Sequence, residues 1–163
     1  MMEQQEPEIQ LTNLLTSQTV QARLSVSDWE AATEAVGQLL VDAGSIEPGY
    51  IQAMKRVLEE MGPYAVIAPG IVLLHARPED GVLSPCLGLI TLSTPVEFGH
   101  SENDPVDIVL ALGATDKKTH ISALQQLATL LGDENGLELI RSAPDSRTLL
   151  ENIHSWESAG GAS

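Results

Sequence analysis

The sequence predicts an α/β fold in which a central mixed β-sheet is flanked by α-helices on both faces. Three observations lead there. Nearly continuous apolar runs recur at 65–74, 87–92 and 106–112, and strands with so few polar interruptions need cover on both sides. Stretches with apolar residues at helical spacing intersperse with those runs. A chain of 163 residues suits one domain that buries roughly 70% of its unfolded surface without disulfides or a structural metal.

The elements follow in order. Met1 to Glu8 is polar and acidic around Pro7, and the chain closes on a Ser/Gly/Ala tail. The expected domain is therefore residues 9–156, with flexible ends at 1–8 and 157–163. From Thr19 to Val26, Val20, Ala22, Leu24 and Val26 alternate with polar residues, the period of a half-buried strand. Ser27 with Glu30 three residues on reads as a capping box, and Trp29, Ala32, Val36, Leu39, Leu40 and Ala43 form a helical face that stops at Gly44. A second amphipathic helix after Pro48 carries Tyr50, Ile51, Met54, Val57, Leu58 and Met61, and ends at Gly62-Pro63. The apolar runs follow, the first broken at Pro69-Gly70. A third helix is predicted over about Thr119–Leu131, burying Ile121, Leu124, Leu127, Ala128 and Leu131. Asp133 to Ala143 supports no assignment, and Pro144-Asp145-Ser146 opens a last helix with Leu149, Leu150, Ile153 and Trp156.

Composition narrows the function classes. Acidic residues outnumber basic ones 23 to 8, for a net charge of -15. The basic residues are scattered, with Lys55-Arg56 and Lys117-Lys118 as the close pairs, so a nucleic-acid partner is excluded. The longest apolar stretch, Ala65 to Leu74, contains Pro69 and Gly70 and falls short of the ~20 residues that cross a bilayer, so membrane insertion is excluded too. The one cysteine, Cys86, cannot form an internal bridge, and no charged start precedes an apolar run. A cytoplasmic protein is expected. No glycine-rich phosphate loop supports ATP or dinucleotide binding.

Among the residues able to do chemistry, His75 closes the run Ile71-Val72-Leu73-Leu74 and precedes Ala76-Arg77-Pro78-Glu79-Asp80-Gly81. A polar ring where an apolar strand meets a turn is held by the sheet and reachable from solvent, which suits catalysis. The alternative is a partly buried histidine satisfied by backbone. His120 falls at the start of the third helix, where free N–H groups favour an anion; there the alternative is a ring that caps its own helix. His100, in a polar acidic loop, and His154, on the polar side of the last helix, read as solvated. Cys86 reads as a small buried hydrophobe. Arg77 could meet a phosphoryl group or pair with Glu79 or Asp80. A zinc site would need three or four ligands with regular spacing, and none is evident.

The run Ala68-Pro69-Gly70-Ile71-Val72-Leu73-Leu74-His75-Ala76-Arg77-Pro78-Glu79-Asp80-Gly81-Val82, then Thr94-Pro95-Val96, then Asp104-Pro105-Val106 through Leu110-Ala111-Leu112 to Asp116 and His120, resembles the EIIA component of the bacterial sugar phosphotransferase system. The likeness is to its mannitol/fructose superfamily (EIIA type 2), and His75 to Gly81 looks most like the ascorbate branch. It implies a phosphotransferase, a cytoplasmic phosphocarrier in which His75 accepts a phosphoryl group from HPr and passes it to a cysteine of the EIIB component. It implies that His120 stabilises the phosphoryl group and that no cofactor is needed. Two departures stand out. Many members carry proline where Leu74 stands, and the active-site arginine of mannitol and fructose members has no certain counterpart, Arg56 being the nearest candidate and Arg77 another possible phosphate ligand. A regulatory module that signals its phosphorylation state to a partner is the alternative. The sugar carried and the oligomeric state, a homo-oligomer included, stay open.

Chemistry agrees with the resemblance. Transfer between imidazoles has a loose transition state, so the protein mainly aligns donor and acceptor and stabilises oxygen charge. A carboxylate near the acceptor would oppose it, so Glu79 and Asp80 are expected to point away from His75 or to be balanced by Arg77.

Overall fold

The computed structural model describes residues 10–160. In chain order it contains α1 (Leu11–Leu14), β1 (Val20–Leu24), α2 (Trp29–Asp42), α3 (Gly49–Met61), β2 (Val66–Ala68), β3 (Ile71–Leu74), β4 (Cys86–Val96), β5 (Val106–Gly113), α4 (Lys117–Leu131), α5 (Glu134–Arg141) and α6 (Ser146–Ser158). Short 3-10 turns lie at Pro63–Ala65 and Pro78–Asp80. The strands form one sheet in the order β1-β4-β5-β3-β2. β1 lies parallel to β4 and β3 parallel to β5, whereas β4 with β5 and β2 with β3 are antiparallel. This is the mixed sheet that the apolar runs require.

Alternation along the central strands feeds two cores. Ile71 and Leu73 of β3, Leu87 and Leu89 of β4, and Ile108, Leu110 and Leu112 of β5 pack with α1, α4, α5 and α6. Val72 and Leu74, Cys86 and Ile90, and Val109 and Ala111 pack with α2 and α3 on the opposite face. Both faces of the three central strands are thus largely dry; the buried Thr91 in mid-β4 is satisfied by the Arg23 N–H of the edge strand β1.

Several elements differ from the sequence reading for definable reasons. The cap of α2 is Asp28, whose carboxylate accepts the Ala31 N–H at 2.8 Å; with Asp28 at the N-cap, Glu30 sits one position too early for the reciprocal bond of a capping box. α4 begins at Lys117 because Asp116 caps it through the Thr119 N–H at 2.7 Å. Two apolar stripes compete on that helix. Of the expected face, Leu127 is buried and Leu124 and Leu131 pack partly buried on the core, but Ile121 is 45% exposed and Ala128 faces solvent. Ala123 and Leu130 join Leu127 inside instead. Met61 at the end of α3, expected inside, is 62% exposed. The unassigned stretch holds α5, with Asp133 as its N-cap. α1 and α5, at 4 and 8 residues, span about one and two turns, too few for an apolar stripe to stand out from the sequence.

At the ends, the expected flexible residues 1–8, the expected first domain residue Ile9, and residues 161–163 of the expected tail lie outside the described residues. Glu157 and Ser158, counted with the flexible C-terminal segment by composition, complete α6. Glu157 is held there because its carboxylate accepts the Leu11 and Thr12 N–H groups that open α1.

β3 enters the sheet through a tight turn at Gly70, whose φ is +79°. Its carbonyl accepts the Asp107 and Ile108 N–H groups, and a Cβ there would lie 2.6 Å from an Arg141 nitrogen and 2.8 Å from an Asp107 oxygen. Arg141 pairs with Asp107 and also donates to the Pro69 carbonyl. Gly70→Ala is expected to lower the unfolding free energy by about 2 kcal/mol, through left-handed backbone strain of about 1–2 kcal/mol and displacement of that pair. Urea denaturation checks it.

Candidate functional site

The ladder between β3 and β5 ends at the pair Leu74 and Ala111. Just past it lies the carboxyl end of two parallel strands, where open α/β sheets place their ligands. His75 is the first residue beyond β3. Since Ile71 and Leu73 point to the face covered by α4, the period of two turns His75 to the same face. His120 extends the buried stripe of α4 toward its N-terminus, one turn before Ala123, Leu127 and Leu130. Strand parity and helix stripe thus aim two rings at each other. Their centroids lie 6.2 Å apart with the planes at 60°.

His75 is exposed, and its Nδ1 lies 3.3 Å from the Leu73 carbonyl oxygen. A carbonyl only accepts, so the contact assigns the ring proton to Nδ1 and leaves the Nε2 lone pair for an electrophile. His120 is half-buried. Burial holds its pKa below the ordinary value, and the charge of His75 adds to the depression. Both act against a charged ring, so His120 faces the cleft as a neutral imidazole with one N–H to donate.

The two histidines share a cleft of about 390 Å³ with Pro78, Thr115, Asp116 and Lys117. Asp116 is already engaged: its carboxylate accepts the Thr119 N–H and hydroxyl, and these bonds hold its pKa below the usual carboxylate range. The helix start is therefore not the open anion seat that the sequence suggests. His120 lies in the fourth position of α4 and gives its own N–H to the Asp116 carbonyl. It does not cap the helix with its ring. Lys117 supplies a positive charge on the same wall.

A second cleft of about 440 Å³ opens on the other side of His75 and brings in Arg56, Arg77 and Asp80. Both candidate arginines therefore reach the surroundings of His75. Arg56 arrives from the exposed side of α3, Arg77 from the loop after the strand, and neither forms an ion pair among the described residues. The expectation for the acidic pair is met unevenly. Asp80 lines this cleft but turns an oxygen to the Arg77 main-chain N–H at 3.1 Å, so backbone rather than the guanidinium holds it. Glu79 is exposed and does not line the cleft. A smaller apolar hollow beneath His75 is rimmed by Met61, Tyr64 and Ile67.

The remaining candidates lie elsewhere. His100, expected to be solvated, is half-buried and organises its loop: its Nδ1 accepts the Glu102 and Asn103 N–H groups. His154, also expected in solvent, faces the Leu15 carbonyl at 3.2 Å. Cys86 is buried, and burial pushes its thiol up to about 11, as a packing residue should be. Leu74, in the place of the resembling family's proline, is 1% exposed in the α2 and α3 core. Among the described residues no three His, Cys, Asp or Glu side chains come together as a metal site. Sequence reasoning missed Lys117 and Thr115 as cleft residues. The Asp116 to Thr119 spacing is a helix-cap signal that could have started α4 two residues earlier, at Lys117, with Thr115 just before the cap.

The comparisons with known proteins agree with this geometry. Residues 13–156 match the family of the phosphoenolpyruvate-dependent sugar phosphotransferase system, EIIA 2. The ascorbate-specific PTS system EIIA component of Salmonella typhi is 37% identical over 142 residues, covering 86% of this chain and 92% of that protein. Among solved structures, the mannitol-specific cryptic phosphotransferase enzyme IIA CmtB from Escherichia coli superposes with a TM-score of 0.81 at 32% identity, covering 90% of this chain and 99% of that one. Enzyme IIAMtl from Escherichia coli, solved in complex with phosphorylated enzyme IIBMtl, gives 0.71 at 25% identity, with 86% and 97% covered. The fold, the paired histidines and these matches define one class, the sugar phosphotransferase components. The chain belongs to the EIIA 2 family of that system.

Because the folded pKa of His120 lies below its unfolded value near 6.5, the unfolded chain takes up the proton first on acidification. This contribution is present above about pH 6.5 and is lost as pH falls toward the folded midpoint. A proton NMR titration is expected to place the His120 midpoint below 6.5. His75→Gln should raise that midpoint without fully restoring it, since burial is the larger cause.

Proposed function

We propose that this EIIA component is a cytoplasmic phosphocarrier, with residues 9–156 as its working domain and His75 as the acceptor. The observation that carries the reading is the meeting of His75 and His120 over one cleft at the carboxyl ends of β3 and β5, 6.2 Å apart.

The Nε2 lone pair of His75 attacks the phosphorus of the phosphohistidine on HPr. The donor P–N bond breaks, its electron pair returns to the donor imidazole, and a new N–P bond forms on His75. In the second step a cysteine thiolate of EIIB attacks the same phosphorus, and the His75 nitrogen recovers its pair. Neither step needs a cofactor, because positioning and charge stabilisation do the catalysis. His120 donates its N–H to a phosphoryl oxygen, and Lys117, Arg56 and Arg77 supply positive charge on both sides. An incoming phosphoryl group reverses the electrostatics at His120: a neighbouring anion favours its charged form, where the neighbouring imidazole disfavours it. The name of the Salmonella typhi relative favours the ascorbate-type branch. The complex of IIAMtl with phosphorylated IIBMtl is the precedent for an EIIB partner.

Incubation with phosphorylated HPr is expected to add one acid-labile phosphoryl group, and His75→Ala to abolish it. Labelling of that variant at the parent level would remove His75 as acceptor. His120→Ala is expected to retain labelling while transfer slows about 100-fold, the usual cost of losing one preorganised donor. Quenched-flow transfer rates check it.

A further inference from the structure

Tyr50 lies in the first turn of α3 and is fully buried. Its hydroxyl sits where the β3 and β5 ladder ends. Leu74 pairs with Ala111, and the ladder between the two strands ends there, one residue before His75. The hydroxyl fills the gap: it accepts the Ala76 N–H at 2.9 Å and donates to the Leu112 carbonyl at 2.8 Å. The Ala76 carbonyl lies at 3.3 Å, but one hydroxyl proton serves one acceptor well, and the shorter bond takes it. Ala76 follows His75, and Leu112 begins the path through Ala114 and Asp116 to His120. One phenol thus ties together the backbones that carry both rings.

The bond is costly to lose. Burial pushes the Tyr50 phenol up to about 12, so the group stays a neutral hydroxyl able to give and take a bond at once. Without it, the Ala76 N–H and Leu112 carbonyl would face an apolar ring. β4 holds Leu112 from its far side, through the pairs Leu87 with Leu112 and Cys86 with Gly113. The ladder between β3 and β5, however, stops at Leu74 and Ala111, so the segment after β3 that carries Ala76 is joined to β5 by the phenol rather than by that ladder.

We propose that Tyr50 is the positioning residue of the phosphoryl site, setting the separation of the His75 and His120 rings through its hydroxyl. The proposal rests on the phosphocarrier reading for its consequence in transfer, but the ring separation is testable without it. Tyr50→Phe keeps the aromatic packing and removes the bridge. In the parent, replacing His75 with Gln raises the His120 titration midpoint; in the Tyr50→Phe background that response is expected to shrink by at least half, read by proton NMR on the folded variant. Phospho-HPr transfer to Tyr50→Phe should slow at least tenfold while the concentration of HPr at half-maximal rate stays the same. An unchanged His120 response with unchanged transfer overturns the proposal, as does a loss confined to HPr affinity. If the parent itself takes no phosphoryl group from HPr, the carrier reading fails and the titration still decides the role of Tyr50. If Tyr50→Phe does not fold, the parent carrying 3-fluorotyrosine at its two tyrosines replaces it. The buried fluorine resonance must then move as the histidines titrate, and a resonance that stays fixed through the titration overturns the proposal.

Discussion

Two imidazoles from distant parts of the chain meet because the β3 and β5 register and the α4 stripe agree in phase. β3 pairs with β5 from Ile71 with Ile108 to Leu74 with Ala111. A shift of one residue would send His75 to the α2 and α3 face, since side chains alternate along a strand. The register is pinned at both ends. At the entry, the Gly70 carbonyl holds Asp107 and Ile108; at the exit, the Tyr50 hydroxyl spans Ala76 and Leu112. Between these points both strands are apolar and buried on both faces, so alternation of polar and apolar residues does not fix the register and the two end anchors do.

Electrostatics at the site follow from what is already bonded. The chain carries a net charge of -15, an unpromising background for a phosphoryl group. Around the cleft, however, Asp116 is committed to Thr119 and Asp80 to the Arg77 main chain. Bonded carboxylates keep their charge, but their oxygens are fixed and turned to donors of their own. Arg56, Arg77 and Lys117 border the same space. Glu60 also lines the second cleft, so Arg56 and Arg77 face one carboxylate there that is unengaged among the described residues. On the Lys117 wall, by contrast, Asp116 has its oxygens turned to Thr119. The global charge serves solubility and partner choice.

Much of this was legible in the sequence. The apolar runs gave three central strands and the need for two helical layers, because continuous burial leaves few alternatives. His75 was readable from its place at a strand end, since rigidity on one side and solvent on the other is a local property. His120 was identified correctly but for an incomplete reason: the helix start that suggested an anion seat is occupied by Asp116, and the ring enters through the buried stripe instead. Choosing between the stripes of α4 depends on where the helix begins, and composition alone did not show Asp116 winning that start. α1 and α5 escaped because short helices are set by tertiary packing. Tyr50 read as an ordinary core residue. Its apolar ring carries the periodic signal, and the hydroxyl's two partners lie 26 and 62 positions away along the chain.

Phosphoryl transfer at this site turns on the identity of one nitrogen. The Leu73 carbonyl places the proton of His75 on Nδ1, leaving Nε2 to form the bond to phosphorus. Phosphorylated protein labelled with nitrogen-15 in its histidines should show one-bond coupling to phosphorus at Nε2 of His75 alone. Coupling at Nδ1, or at the ring of any other histidine, would contradict it.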